Sequence, residues 1–315
     1  MLAILNVTTP FFALVLCGYL AARARVLPEA AVPALNIFVL YFALPCMLFR
    51  FTASTPSQQI VNVPVFFAYM TTGLCMLFLV TGLLRLFGNE DEKNASFAGL
   101  AAAWSNWGYM GLPLFPTLLG PRALATMIAA GMADLTVIIS AGLALASLGD
   151  QAGGGIRSAL RGALRHIVRN PLIWAVLCGA VFSAYALRFP TPVEEFIRLL
   201  GQAAGPVALF TIGVSLYRPS VRVMRGNVMT ITAAKLMLHP LLTGLIATFL
   251  FGLSTLETHT IVLGAALPAG GSTFLFAERQ GADADRIAAV ILISTALAFI
   301  SFSVLCWWFG VQLRG

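Results

Sequence analysis

Charge is what this sequence has least of. Across 315 residues only 10% are charged and 59% are hydrophobic, and the mean hydropathy is +0.91. Soluble domains carry about 25% charged residues, so an ordinary water-soluble globule is excluded, and lipid or other helices must surround most side chains. Histidine is equally sparse: His166, His239 and His259 fall in separate segments without ligand spacing, which argues against a metal centre. The chain has no Gly-x-Ser-x-Gly, no His-Glu-x-x-His and no Gly-x-x-x-x-Gly-Lys phosphate loop, so neither an enzyme, an ATP-driven motor nor a cofactor is expected. Five cysteines (Cys17, Cys46, Cys75, Cys178, Cys306) are scattered through apolar runs and read as small buried hydrophobes, not disulfides. The net charge of +7 does not point to nucleic acid, because the cations sit in loops between apolar runs, where membrane topology accounts for them.

What the sequence has in abundance is apolar runs of spanning length, about 20 residues each. Ten can be drawn, at roughly 2–22, 31–50, 61–84, 95–119, 122–147, 170–188, 197–217, 228–251, 258–277 and 285–312. None alternates polar and apolar residues as a barrel strand does, so the expected fold class is an all-α membrane protein of ten transmembrane helices. The first run has no Lys or Arg before it and ends on Arg23 and Arg25, so it reads as a retained helix and not a cleaved signal. Loops after the odd-numbered runs hold Arg23, Arg25, Arg85, Lys93, Arg157, Arg161, Arg165, Arg169, Arg218, Arg222, Arg225, Arg279 and Arg286. The opposite side holds only Arg50, Arg122, Arg188, Arg198 and Arg314. This bias predicts a cytoplasmic membrane protein with both termini outside.

The longest loop, residues 148–169, carries Gly153–Gly155 and arginines spaced four apart at 157, 161 and 165. One helical face would present those arginines, either as a connector lying on anionic headgroups or as a regulatory site. It divides the chain into residues 1–147 and 170–315, five runs each. The second and seventh runs share x-Pro-x-x-Leu-Phe, at Leu44–Phe49 and Gly205–Phe210. The fourth and ninth are both interrupted by Gly and Pro, at Gly108–Pro113 and Leu267–Thr273. Halves with an odd number of helices are inverted in the membrane, and matched interrupted segments point to a transporter binding site. Proline removes a backbone donor and glycine weakens a helix by about 1 kcal/mol relative to alanine; such breaks must be buried or wet. A simple kink is the alternative at each break taken singly.

Polar residues inside the runs are the site candidates, since burying them is costly. Asn106, between Trp104 and Trp107, suits either a carboxylate or a helix–helix hydrogen bond. Ser272 and Thr273 follow the second break, where a half-helix N-terminus would favour an anion, although such hydroxyls also bond back to their own helix. Asp134 in the fifth run is a candidate proton carrier or structural ion-pair partner, and Lys235 in the eighth is its counter-charge, a substrate contact or a snorkelling side chain. His239 reads as structural. Glu278 and Arg279 read as interfacial.

The chain resembles the auxin efflux carrier family, in its short bacterial form, over nearly its whole length. The resemblance rests on Leu35-Asn36 with Tyr41–Pro45, Ser105–Pro113, Lys235-Leu236 with His239-Pro240, and Leu267-Pro268 with Phe274 and Ala277-Glu278. It implies two inverted five-helix repeats whose broken fourth and ninth helices cross at Pro113 and Pro268, with Asn106 as the crossover asparagine and Ser272 replacing a second one. With the residue-level candidates above, the expected binding residues are Asn106, Gly108, Gly111, Pro113, Pro268, Ser272 and Thr273. The expected function is a secondary transporter of a small organic anion, a mono- or dicarboxylate such as malonate, malate or an auxin-like acid. An elevator-like or rocking motion would drive it, powered by the membrane potential or by protons. A sodium-coupled symporter is the nearer alternative, and an intramembrane sensor or enzyme the more distant. The expected partners are the anion, the lipid bilayer and, in the coupled case, protons; a homodimer stays open.

Overall fold

The structure, a computed structural model, describes residues 2–28, 31–55, 62–148, 164–165, 168–217 and 227–310. Most of the basic connector (Gly153–Gly155, Arg157, Arg161), together with Arg218, Arg222, Arg225 and Arg314, lies outside the described residues. Twelve helices follow in chain order: α1 Leu2–Arg23, α2 Ala31–Ser54, α3 Val63–Phe87, α4 Glu92–Ala103, α5 Leu112–Leu119, α6 Arg122–Leu148, α7 Pro171–Ala184, α8 Thr191–Leu216, α9 Val228–Leu250, α10 Thr255–Ala265, α11 Ser272–Arg279 and α12 Ala284–Trp308. Among the described residues nothing but helix is regular structure. Among the fully described stretches, six, in α2, α3, α6, α8, α9 and α12, are individually long and apolar enough to cross a membrane.

The helix starts follow from capping chemistry. Asn62 accepts from the Val65 N–H (3.1 Å), Asp91 from Asn94 (2.9 Å), Asn170 from Leu172 (3.0 Å) and Asp283 from Arg286 (3.1 Å). Ser254 and Glu257 form a reciprocal capping box at α10. Each cap satisfies an otherwise orphaned donor, and the Asn94 N–H holds the Asp91 carboxyl below its ordinary pKa. Three prolines explain three widened turns. A helix-interior proline clashes with the carbonyl four residues back, and π turns at Val39–Ala43, Trp107–Gly111 and Ala234–Leu238 each end two residues before Pro45, Pro113 and Pro240. Two further π turns, Asp134–Ile138 in α6 and Ile246–Leu250 at the end of α9, have no proline to account for them.

Packing sorts the helices into two groups. α1 lies along α8, and α2 lies along α7 and α8. The approach of α1 to α8 is backbone against backbone: a Cβ on Gly18 would fall 2.0 Å from the Phe210 carbonyl oxygen, and one on Gly213 would fall 1.9 Å from that of Val15. The second group holds α3, α4, α5 and α6 together with α9, α10, α11 and α12. Its pairings come in matched sets: α3 on α4 and α9 on α10, α3 on α6 and α9 on α12, α6 on α10 and α12 on α4. The caps are matched as well. Asn62 at the start of α3 donates its amide to Glu257 (2.5 Å), and Asn227 before α9 donates to Glu90 (3.1 Å). Glu90 also accepts from Arg286 at 2.5 Å, a buried pair whose guanidinium reaches the Asn94 carbonyl at 2.8 Å.

The cysteine expectation is corrected. Only Cys306 is buried; Cys46 is intermediate, and Cys17, Cys75 and Cys178 lie on the outer surface. An apolar run in a membrane protein faces lipid as readily as core, so sequence hydrophobicity does not report burial here.

Candidate functional site

The two interrupted segments meet. Between α4 and α5 the chain leaves the helix at Trp104 in an extended conformation, and Ser105 pairs antiparallel with Ala269 from the break between α10 and α11. The Asn106 N–H donates to the Pro268 carbonyl (2.9 Å), and the Gly270 N–H donates to the Trp104 carbonyl (3.0 Å). The Ala269 N–H reaches Ser294 Oγ on α12 at 3.2 Å. Backbone groups that lipid cannot satisfy thus satisfy one another across the crossing. Trp104 and Phe276 stack beside it, centroids 6.1 Å apart, and a Cβ on Gly270 would collide with the Trp104 ring at 2.8 Å.

The crossing therefore involves Ser105–Asn106 and Pro268–Ala269, and Pro113 is not in it. Pro113 sits in the first turn of α5, where a Cβ on Gly205 of α8 would meet it at 3.0 Å. The reason is the π turn. It inserts Trp107–Gly111 between the break and the proline, so the proline starts the second half-helix instead of causing the break. Gly111 is packed tightly by Leu267 and Trp107, whereas Gly108 faces open space.

Against the crossing lies a buried polar cluster. Asp134, Lys235, His239, Tyr69 and Ser105 are all almost fully inaccessible. Lys235 Nζ donates to Ser105 Oγ (2.6 Å) and to the Ala265 carbonyl at the end of α10 (3.1 Å), and it lies 2.9 Å from His239 Nδ1. With the ammonium donating, His239 Nδ1 accepts and Nε2 carries the ring hydrogen; that nitrogen has no partner. Tyr69 Oη donates to Ser105 Oγ at 3.1 Å. Neither carboxylate oxygen of Asp134 has a hydrogen-bond partner; the Lys235 charge and the Ser105 N–H are what act on it. Asn106 Nδ2 and Thr273 Oγ1 are likewise buried without partners.

Beside the crossing, at the seam between the two helix groups, opens a pocket holding about 620 Å³ of empty space including its mouth. Val32 and Asn36 of α2 and Ile212, Ser215 and Leu216 of α8 line one side. Tyr109 of the π turn, Gly271, Ser272, Phe274 and Leu275 at the start of α11, and Ala288 and Ile291 of α12 line the other. A Cβ on Gly271 would meet nothing within 4 Å. The N-terminal end of α11 therefore looks into a mostly apolar pocket rimmed by four hydroxyl or amide side chains, the usual make-up of a small-molecule site.

Of the residues expected from sequence, Asn106 and Pro268 stand at the crossing and Ser272 in the pocket wall. Thr273 is buried directly behind Ser272, and Asp134 and Lys235 form the charged cluster. Sequence reasoning missed Ser105, Tyr69, Tyr109 and Ser215. His239, read from the sequence as structural, lies in hydrogen-bond contact with Lys235. Ser105 was recoverable as the neighbour of Asn106; nothing in a lone Tyr69 or Tyr109 marks it out from other apolar-run aromatics.

The sequence profile of the family described as membrane transport protein matches residues 3–306. The chain belongs to that family. It is a multi-pass membrane transporter, not an enzyme. The transporter is 29% identical over 301 residues to a candidate malonate transporter of Rhizobium meliloti (strain 1021), covering 95% of this chain and 93% of that one. It is also 25% identical over 319 residues to the lysosomal cholesterol signaling protein of Mus musculus, covering 94% of this chain and 36% of the mouse protein. A shorter similarity, 25% over 139 residues, links 42% of this chain to 22% of auxin efflux carrier component 3a of Oryza sativa subsp. japonica. The auxin efflux carrier resemblance read from the sequence holds.

Proposed function

We propose that the protein is a secondary carrier that moves a small organic anion across the cytoplasmic membrane by alternating access. The observation that carries this reading is the pocket at the seam between the two helix groups, with the start of α11 looking into it. Freed N–H groups at a helix N-terminus favour an anion, here with Ser272 and Asn36 as neutral donors and apolar walls for the body of the substrate. The name of the Rhizobium relative supports a carboxylate such as malonate. In this reading α4 with α5, and α10 with α11, are each one broken span. The chain then has ten spans in two inverted repeats, residues 1–147 and 170–315, and the matched pairings and the Asn62–Glu257 and Asn227–Glu90 contacts support that. Residues 148–169 are the cytoplasmic connector and both termini lie outside. The pocket is lined by the start of α2, the end of α8 and the start of α12, and so opens to the arginine-rich, cytoplasmic side.

The α1, α2, α7, α8 group is the scaffold, and the group holding the crossing moves against it. The membrane potential supplies about 2.3 kcal/mol per charge per 100 mV. A coupled proton on Asp134 is a second reading, favoured by its two unpartnered oxygens. It requires that Asp134→Asn change the pH profile of uptake between roughly pH 5 and 8; an unchanged profile removes the coupling and leaves the carrier.

Uptake of radiolabelled malonate, malate and indole acetate into proteoliposomes tests the assignment. Saturable uptake of at least one, weakened in Ser272→Ala and Asn36→Ala, is expected. A folded protein that moves none of the three contradicts the organic-anion reading.

A further inference from the structure

The pocket at the seam offers an anion no full positive charge. None of its lining residues is Lys, Arg, His, Asp or Glu. The buried cations among the described residues are engaged elsewhere: Lys235 on Ser105, the Ala265 carbonyl and His239, and Arg286 on Glu90 and the Asn94 carbonyl. What the pocket does offer is neutral donors. Among the described residues nothing accepts from the N–H groups of Gly271 and Ser272, and the Ser272 hydroxyl, the Asn36 amide and the Tyr109 hydroxyl have no partner either. The Ser215 hydroxyl already donates to the Thr211 carbonyl at 2.8 Å. Val32, Ile212, Phe274 and Leu275 make the walls apolar.

That set suits one carboxylate and not two. The start of α11 adds about half a positive charge, and an ionised group taken out of water without a counter-charge or enough donors is costly. A dianion in the open pocket could leave its second carboxylate in the watery mouth. Alternating access requires a closed state in which that mouth is lost. We propose, resting on the carrier reading above, that the protein carries its substrate only as a singly charged organic acid. The carried species is a monocarboxylate with an apolar body, or a dicarboxylate that has taken up one proton. A dicarboxylate then brings its own proton across, and the pH dependence of its transport belongs to the substrate.

Uptake of radiolabelled malonate and of its monomethyl ester, alike in shape and different by one charge, tests this in proteoliposomes, with protein-free liposomes as the blank. At about pH 8 the ester should enter at least about tenfold faster than malonate, which is then a dianion. At about pH 5.5 malonate has regained a proton on its second carboxyl, and the ratio should fall to about threefold or less. A coupled proton on a protein group would scale both rates together and leave the ratio unchanged. Malonate entering as fast as the ester at the higher pH overturns the proposal and leaves the carrier standing, as does a ratio that does not change with pH. A folded protein that moves neither compound also overturns it, and indole acetate uptake then decides whether the carrier reading survives.

Discussion

At the scale of single residues, the buried Asp134 and Lys235 determine how the crossing tolerates change. Removing one member of a buried charge pair leaves the other uncompensated and costs about 3–5 kcal/mol, whereas replacing both by apolar or neutral groups is often near neutral. Lys235→Met and Asp134→Asn should therefore each destabilise strongly, and Lys235→Met/Asp134→Asn should recover most of the loss. Unfolding curves of the four proteins in one cycle measure this, and strictly additive losses would show that the two charges do not interact. Both residues were legible in the sequence as charges inside apolar runs. Their partners were not, because Ser105, Tyr69 and the Ala265 carbonyl acquire meaning only when three distant segments converge.

At the scale of helices, backbone contact and broken geometry dominate. α1 and α8 touch at Gly18 and Gly213, where no side chain fits. Gly213→Ala should cost at least about 1–3 kcal/mol, the usual penalty for overpacking. Gly82→Ala in α3, where a Cβ meets nothing within 4 Å, should be neutral or stabilising by up to about 1 kcal/mol through helix propensity. Comparing the two melting temperatures checks the contact, and equal tolerance would contradict it. Hydropathy located the runs well but could not show which side of each faces lipid, as Cys17, Cys75 and Cys178 demonstrate. The crossing at Pro113 is what the family resemblance implies, and the π turn that lets Pro113 begin α5 leaves no trace in hydrophobicity. The seventh run shows the complementary error. Its helix starts at Thr191, ahead of the apolar stretch, because Pro192 in the first turn and the Glu195–Arg198 pair make a polar but stable opening.

At the scale of the whole molecule, the two helix groups meet at the pocket, and their relative motion is what would expose it to one side of the membrane and then the other. The proposed division into halves rests on the connector and the paired interruptions, both visible in the sequence. The division into groups was not visible there, because each group draws helices from both halves and only packing reveals it. If the pocket is the transport site, filling it must stop transport without unfolding the protein. Gly271 makes this separable: it lines the pocket, has an ordinary helical backbone conformation (φ −58, ψ −31), and a side chain there enters open space. The most direct measurement is organic-anion uptake into proteoliposomes by Gly271→Leu beside the wild type, with melting temperatures recorded for both. Uptake reduced at least about tenfold, equivalent to about 1.4 kcal/mol, with an unchanged melting temperature is the predicted result. Full uptake by the folded variant would contradict a transport site at the start of α11.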